Sequence, residues 1–231
     1  GTATVDDGRG ISFSAVSTIT NLTNDGTISG TATVDFGQGI VLSSGSEITT
    51  LTNDGTISGT AGDSFGQGIV LTSNSNIGTL TNTGTIKGTT TTGNDGHGIN
   101  LSSNSTITTL TNTGTITGTA TVDFGYGIRL SNSTITNLTN RGTISGTAGG
   151  TDGYGISLTN ATLTNLTNND TISATAGNSF GYGIFLGTNS TITTLTNDGT
   201  ISGSATVDDG YGIRLGTNST ITTLTNDGTI S

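Results

Sequence analysis

The stretch Leu51-Thr52-Asn53-Asp54-Gly55-Thr56-Ile57-Ser58-Gly59 returns, lightly edited, in each of eight successive units. The units run 1–29, 30–58, 59–87, 88–117, 118–145, 146–173, 174–202 and 203–231, with lengths of 29, 29, 29, 30, 28, 28, 29 and 29 residues. A fixed period in this range is the mark of stacked supersecondary units, each touching only its neighbours. The last unit nearly copies the second, and the chain begins and ends in one register. A longer array, or the repeating portion of a fibre, is therefore expected.

Within a unit the pattern is that of strands. Ile57, Gly59 and Ala61 alternate with Thr56, Ser58 and Thr60, which is the period of a half-buried β-strand. The same junction one unit earlier places Ile28, Gly30, Ala32 and Val34 on the inner face. A turn is expected at Asp35-Phe36-Gly37-Gln38-Gly39, then a short strand with Ile40 and Leu42 inward. A second turn follows over Ser43–Glu47, and a third strand runs from Ile48 to Asn53 with Ile48 and Leu51 inward. Asp54-Gly55 returns the chain to the next Thr-Ile. The chain holds 39 glycines, and each costs a helix about 1 kcal/mol, so helices are disfavoured throughout.

Length variation falls where turns are expected. Leu42 to Ile48 is six steps, whereas Leu130 to Ile135 and Leu158 to Leu163 are five, and the extra residue of the fourth unit lies in Thr90–Asp95. The interval from Leu51 to Ile57 is constant in every unit. Inward positions that hold register while turns absorb insertions describe stacked coils. A leucine-rich repeat shares the period and finds a faint echo in Ile48–Asn53, but Gly, Thr and Ser cannot supply its helical back. The Gly-Gly-x-Gly-x-Asp nonapeptides of a calcium β-roll are missing. The expectation is all-β: a right-handed, three-sided parallel β-helix of eight coils, its hand following the rule for parallel crossovers.

Only 29% of residues are apolar and 9% charged, a composition that also suits disorder. The regular columns of Ile and Leu argue against it. Cys, Met, Trp and Pro are absent, so no disulfide or thiolate metal site is available. A net charge of −10 with dispersed cations disfavours nucleic acid and anionic membrane surfaces. No apolar run is long enough to insert in a bilayer.

Stacking turns each position into a ladder. The unbroken one is Asn24, Asn53, Asn82, Asn112, Asn140, Asn168, Asn197 and Asn226. An asparagine at such a corner can adopt the left-handed conformation and bond the same amide one coil along. Two residues later stands Gly26, Gly55, Gly84, Gly114, Gly142, Asp170, Gly199 or Gly228, which suggests positive φ. The Gly-x-Gly pairs, such as Gly37/Gly39 and Gly125/Gly127, read as turn glycines and lack the helix and acidic partner of a dinucleotide fingerprint. The residue between them is Arg9, Gln38, Gln67, His97, Tyr126, Tyr154, Tyr182 or Tyr211. The four tyrosines are expected to form an exposed ladder that stiffens a turn or serves as a contact stripe for sugar or protein. The preceding column alternates Phe36, Phe65, Phe124 and Phe180 with Asp7, Asp95, Asp152 and Asp209.

No catalytic, cofactor or metal residues are expected. His97 is the only histidine, which excludes a His-rich metal site and a His-dependent triad. Asp6 with Asp35, and Asp25 with Asp54, are like charges one coil apart that a calcium ion would relieve. Both columns soon break to Asn, Thr, Ser or Arg141, so solvated turns are the reading. Thr27, Thr56, Thr85, Thr115, Thr143, Thr171, Thr200 and Thr229 form an outward ladder that resembles the faces of ice-binding β-solenoids.

Gly125-Tyr126-Gly127-Ile128-Arg129-Leu130, followed by Leu-Thr-Asn-x-Gly-Thr-Ile-Ser-Gly, resembles the repeats of bacterial autotransporter passenger domains and of filamentous-haemagglutinin-like adhesins. The resemblance covers the whole chain and implies a right-handed β-helix at a Gram-negative cell surface. The expected role is a non-enzymatic extracellular stalk, adhesin segment or filament portion. Its partners would be copies of itself, stacked end to end or laterally, and host or matrix glycans or proteins. Alternatives are an ice-binding solenoid or glycan binding through the tyrosine stripe. Specificity should lie where units differ, around Gly-x-Gly and Ser43–Glu47.

Overall fold

A computed structural model describes all 231 residues. The chain is a β-solenoid with no helix, built from three parallel sheets of nine, eight and eight strands. Each coil contributes one strand to each sheet. The second coil and the start of the third show the pattern: Gly37–Leu42, Glu47–Asn53 and Thr56–Ala61. We refer to the three sheets as the Gly, Asn and Thr sheets after these strands. Every strand pairs with its equivalent one coil away, Ile57 with Ile86 and Leu51 with Leu80 for example. Parallel pairing at about 4.8 Å per coil satisfies the backbone and gives eight coils a length of roughly 38 Å.

The inward columns form one continuous core. Ile40, Leu42, Ile48, Leu51 and Ile57 are wholly buried, and their equivalents extend the cluster through the rod. Each such side chain contributes about 1.5–3 kcal/mol by leaving water. A coil cannot bury these groups alone, because their partners are the same residues in the coils above and below. Side-chain alternation alone cannot turn both Ile48 and Leu51 inward, since they are three residues apart. The pairing skips one residue between them, joining Ile48 to Ile77 and then Thr50 to Thr79, and this kink resets the alternation. The Gly sheet has a similar kink: Gln38 pairs with Gln67, and Ile40 with Ile69. The Thr sheet pairs through all six residues without a break.

Four expectations need correction. The Gly-x-Gly segment is not a turn; it opens the strand Gly37–Leu42. Neither its glycines nor Gly26, Gly55 and their equivalents have positive φ, and Gly45 is the only glycine that does. Close approach explains them instead. A Cβ on Gly37 would overlap the Thr60 carbonyl, one on Gly59 the carbonyls of Gln67 and Gly37, and one on Gly55 the Gly26 carbonyl of the coil before. Glycine thus lets two backbones meet at the narrow corner between the Thr and Gly sheets. The Asn24-to-Asn226 column is not left-handed either; that conformation belongs to the second turn, at Ser44, Ser73, Asn74, Asn104, Asn132 and Asn160 among others. Finally, Val34 is 40% exposed, because its strand ends at Ala32 and the chain has already turned outward.

Candidate functional site

The asparagine column is structural. Asn53 is completely buried, and its Nδ2 donates to Asn82 Oδ1 at 2.7 Å, to Gly55 O at 3.2 Å and to Thr85 O at 3.2 Å. The same three acceptors serve Asn82, Asn112, Asn140, Asn168 and Asn197. Each amide closes its own turn, joins the next coil's backbone and continues the chain of amides. From Asn53 to Asn197 no hydrogen-bonding group of this column is left for a ligand.

The tyrosine column is brought together as expected, but it is not exposed. Tyr126, Tyr154 and Tyr182 are 9%, 7% and 3% accessible, and only Tyr211 is partly open. Their rings stack at centroid distances of 4.8, 5.2 and 5.5 Å. The stack continues through His97, Phe65 and Phe36 in the coils before. Phe124, Phe180 and Phe185 cover it from outside. Arg214 lies over Tyr182 at 5.5 Å and donates to its Oη at 2.7 Å. Tyr154 donates to Asp152 at 2.8 Å. Burial pushes the phenols of Tyr126 and Tyr154 well above their ordinary range. A contact stripe for sugar or protein at Tyr126, Tyr154 and Tyr182 is therefore closed by the molecule's own side chains, and only Tyr211 keeps an open edge.

The Asp/Phe alternation beside it has a backbone cause. Asp7 accepts from the Phe36 N–H, Asp95 from that of Phe124 and Asp152 from that of Phe180, so an acid in one coil caps the aromatic residue of the next. The acidic turns do not gather a metal site: nowhere do three His, Asp or Glu side chains come together.

Upstream of the tyrosines the same column becomes a polar relay. Arg9 Nε donates to Gln38 Oε1 at 3.1 Å, and Gln38 Nε2 to Gln67 Oε1 at 2.8 Å. Gln67 Nε2 lies 3.3 Å from His97 Nδ1. Arginine only donates, so it sets the direction of both amides, and His97 Nδ1 must accept. The imidazole proton is then on Nε2, which has no hydrogen-bond partner and sits 3.7 Å from Asp95 Oδ2. Burial pulls the His97 pKa down to about 3, with help from the Arg129 charge. Burial also raises Asp95 to about 6 against the opposing Phe124 N–H and Arg129. Sequence columns reveal these neighbours, but not that they form a directed relay.

On the outer face of the Gly sheet two hollows of about 230 and 260 Å³ share Phe36, Gln38, Val70 and Thr72, and so form one trough. A third, of about 280 Å³, lies among Asn104, Asn132 and Asn160 at the left-handed second turn. A scan against family models finds no match to this chain, and searches of curated proteins and of solved structures find none either.

Proposed function

We propose that the chain is a non-enzymatic structural or adhesive β-solenoid, a stalk, adhesin segment or filament portion of a bacterial surface protein. The observation that carries this reading is uniformity. Every coil has the same three strands, joined by turns too short to build a catalytic cleft. The ionisable groups with displaced pKa values serve the coil's structure: His97, Tyr126, Tyr154 and Tyr182 are buried in one aromatic stack that Tyr211 ends, and Asp95 accepts from the Phe124 N–H. A rod whose cross-section is constant for eight coils supplies length, stiffness and two-dimensional surface rather than a reaction centre. The test is to label this segment on intact cells of its host and image the surface by electron microscopy. Label on extracellular rods or fibres is the expected result; label confined to the cell interior would overturn the reading.

A second reading is favoured by one specific face. The Thr sheet is the only sheet without a kink, and it presents Thr56, Ser58 and Thr60 with their equivalents as a flat grid. Hydrogen bonds from these hydroxyls to other protein groups are confined to Thr171, Thr175 and Ser204. Lys87 is the one charged residue in the grid. Strand propensity applies equally to the outer Gly-sheet face, yet there the residues vary among Gln, His, Tyr, Val, Arg and Phe. A regular lattice of methyls and free hydroxyls suits ordered water, as in ice binding. Thermal hysteresis in the intact chain, lost in Ser145→Lys, would support it; no hysteresis at millimolar protein would end it.

A further inference from the structure

We infer that the trough on the outer face of the Gly sheet binds a linear neutral glycan. This inference rests on the adhesive reading and moves its contact site away from the tyrosines. The trough runs parallel to the rod axis, from Arg9 and Ser12 in the first coil to Arg129 in the fifth. Four coil steps give it a length of roughly 19 Å. Its floor is the third residue after each Gly-x-Gly middle position: Ser12, Val41, Val70 and Asn100, of which the last three keep only 7%, 6% and 9% exposure, so the trough is narrow.

Downstream the same position carries a large side chain in three of four coils, and the remaining one, Ser157, is buried between them. Arg129 lies over Tyr126 at 5.7 Å, Phe185 packs against Tyr182 at 5.1 Å, and Arg214 covers Tyr182 and Tyr211. The backbone therefore accepts large side chains here. Nothing in the coil geometry requires Val41 and Val70 to be small. The open half differs from the closed half by side chain alone, within one fold.

The lining selects the occupant. Phe36 and Phe65 flank the trough with stacked rings 5.5 Å apart, and Val41 and Val70 add apolar floor. Thr72 and Ser102 supply hydroxyls, with Ser102 donating to Thr72 at 3.2 Å, so the Thr72 proton is the one free to donate; Asn100 adds an amide, and Arg129 a guanidinium already turned toward that amide at 3.5 Å. Apolar patches between hydroxyls and planar donors match a sugar ring, which presents apolar faces and hydroxyl edges. A peptide is less well served. The strands beneath spend their amides on parallel pairing, so no free strand edge lies along the trough for β-augmentation. A polyanion meets a chain of net charge −10, with Asp7 pairing Arg9 at the trough's end.

The test is calorimetric titration of the purified chain with cellohexaose, xylohexaose and laminarihexaose, with hexagalacturonate as the charged comparator. At least one neutral hexasaccharide is expected to bind with submillimolar Kd. Val70→Arg places in the third coil the residue that the fifth carries at Arg129, so the fold should hold. It is expected to weaken binding at least tenfold with unchanged far-UV circular dichroism and melting. Thr60→Lys, on the Thr sheet, should leave affinity unaltered. Absence of binding by all three neutral sugars, binding of hexagalacturonate alone, or equal affinity in Val70→Arg would overturn the inference. If Val70→Arg does not fold, Val41→Phe, copying Phe185, gives the same reading. Purified chain is used, so the outcome is independent of location: neutral-sugar binding by a chain found only inside cells would sink the adhesive reading and leave the trough standing.

Discussion

Asn112 Nδ2 donates to Asn140 Oδ1 at 2.9 Å while Asn112 Oδ1 accepts from Asn82 at 2.8 Å. Each interior asparagine is thus both giver and receiver in one chain of amides that runs the length of the rod.

Removing an interior member breaks more than one bond. Asn112→Ala takes one hydrogen bond each from Asn140 Oδ1 and the carbonyls of Gly114 and Thr143, and removes the Oδ1 that accepts from Asn82; Asn140 Oδ1 keeps the Gly142 N–H at 3.4 Å and the Gly114 carbonyl keeps the Thr143 N–H at 2.9 Å. Each lost hydrogen bond costs about 0.5–1.5 kcal/mol, and more where the group left behind is buried. A loss of about 3–5 kcal/mol in local stability is expected, since relaxation recovers part of the sum. Asn24, at 6% accessibility and with no amide donating to its Oδ1, should cost less as Ala. Coils open in near-neighbour units, so amide hydrogen exchange around the mutated coil is the right measurement. Equal protection loss for the two variants would contradict the ladder's role.

The glycine columns separate into two kinds, and the chain contains its own control. At the Gly59 column the seventh coil carries Ala174, which is buried and accommodated. At the Gly66 column every coil has glycine, and a Cβ there would overlap the backbone of Thr89. A Cβ on Gly146 would overlap the Tyr154 carbonyl unless the corner shifts, and the chain makes that shift at Ala174, so Gly146→Ala should cost less than Gly66→Ala, which should cost about 2–3 kcal/mol by overpacking. Denaturant midpoints of the two variants decide it; the reverse order would show that the corner is looser than it looks.

These glycines also show what the sequence could and could not reveal. The period, the three strands and the inward Ile and Leu columns were legible because stacking repeats each constraint eight times. The role of glycine was misread. A turn that needs positive φ and a corner where two backbones touch leave the same residue in the sequence, and only the position of the neighbouring strand separates them. The tyrosines were expected as an exposed ladder, and the kink at Gly127 does put Tyr126 outside although the inward Ile128 is only two residues away; the miss is that the stack is covered. The burial of Tyr126 depends on Phe124, Arg129 and the rings one coil away, which strand alternation does not show.

The phenols give a direct check on that burial. All four tyrosines have pKa values raised above 10, Tyr126, Tyr154 and Tyr182 chiefly by desolvation and Tyr211 chiefly by its hydrogen bond to Asp209. A raised phenol pKa adds stability at every pH below the unfolded value and loses it as pH climbs toward the folded one. Ultraviolet titration should show at least Tyr126 and Tyr154 un-ionised in the native chain near pH 10, where free tyrosine is half ionised. Their phenolate should appear together with loss of far-UV signal. Reversible ionisation of three or more tyrosines near pH 10 in the folded chain would refute the covered stack.

His97 and Asp95 oppose one another as pH falls, and this makes their contributions separable. His97 is held neutral down to about pH 3, so below its ordinary value near 6.5 the unfolded chain takes up a proton that the folded chain refuses. Stability on this account is full above pH 6.5 and declines as pH drops toward 3. Asp95 titrates near 6 in the fold against 3.8 unfolded, so the folded chain takes up its proton first, and stability on this account rises as pH drops from 6 toward 3.8. In the intact protein the two trends largely offset each other between pH 6 and 4. His97→Gln removes the first trend and keeps the second, while its amide extends the relay from Gln67. The melting temperature of His97→Gln should therefore rise between pH 6.5 and 4, where that of the intact chain stays level or falls. Because Asp95 touches the altered position, the Asp95→Asn variant supplies the complementary arm: its melting temperature should drop steadily over the same range. Parallel pH profiles for the two variants would mean that neither group titrates as its surroundings dictate.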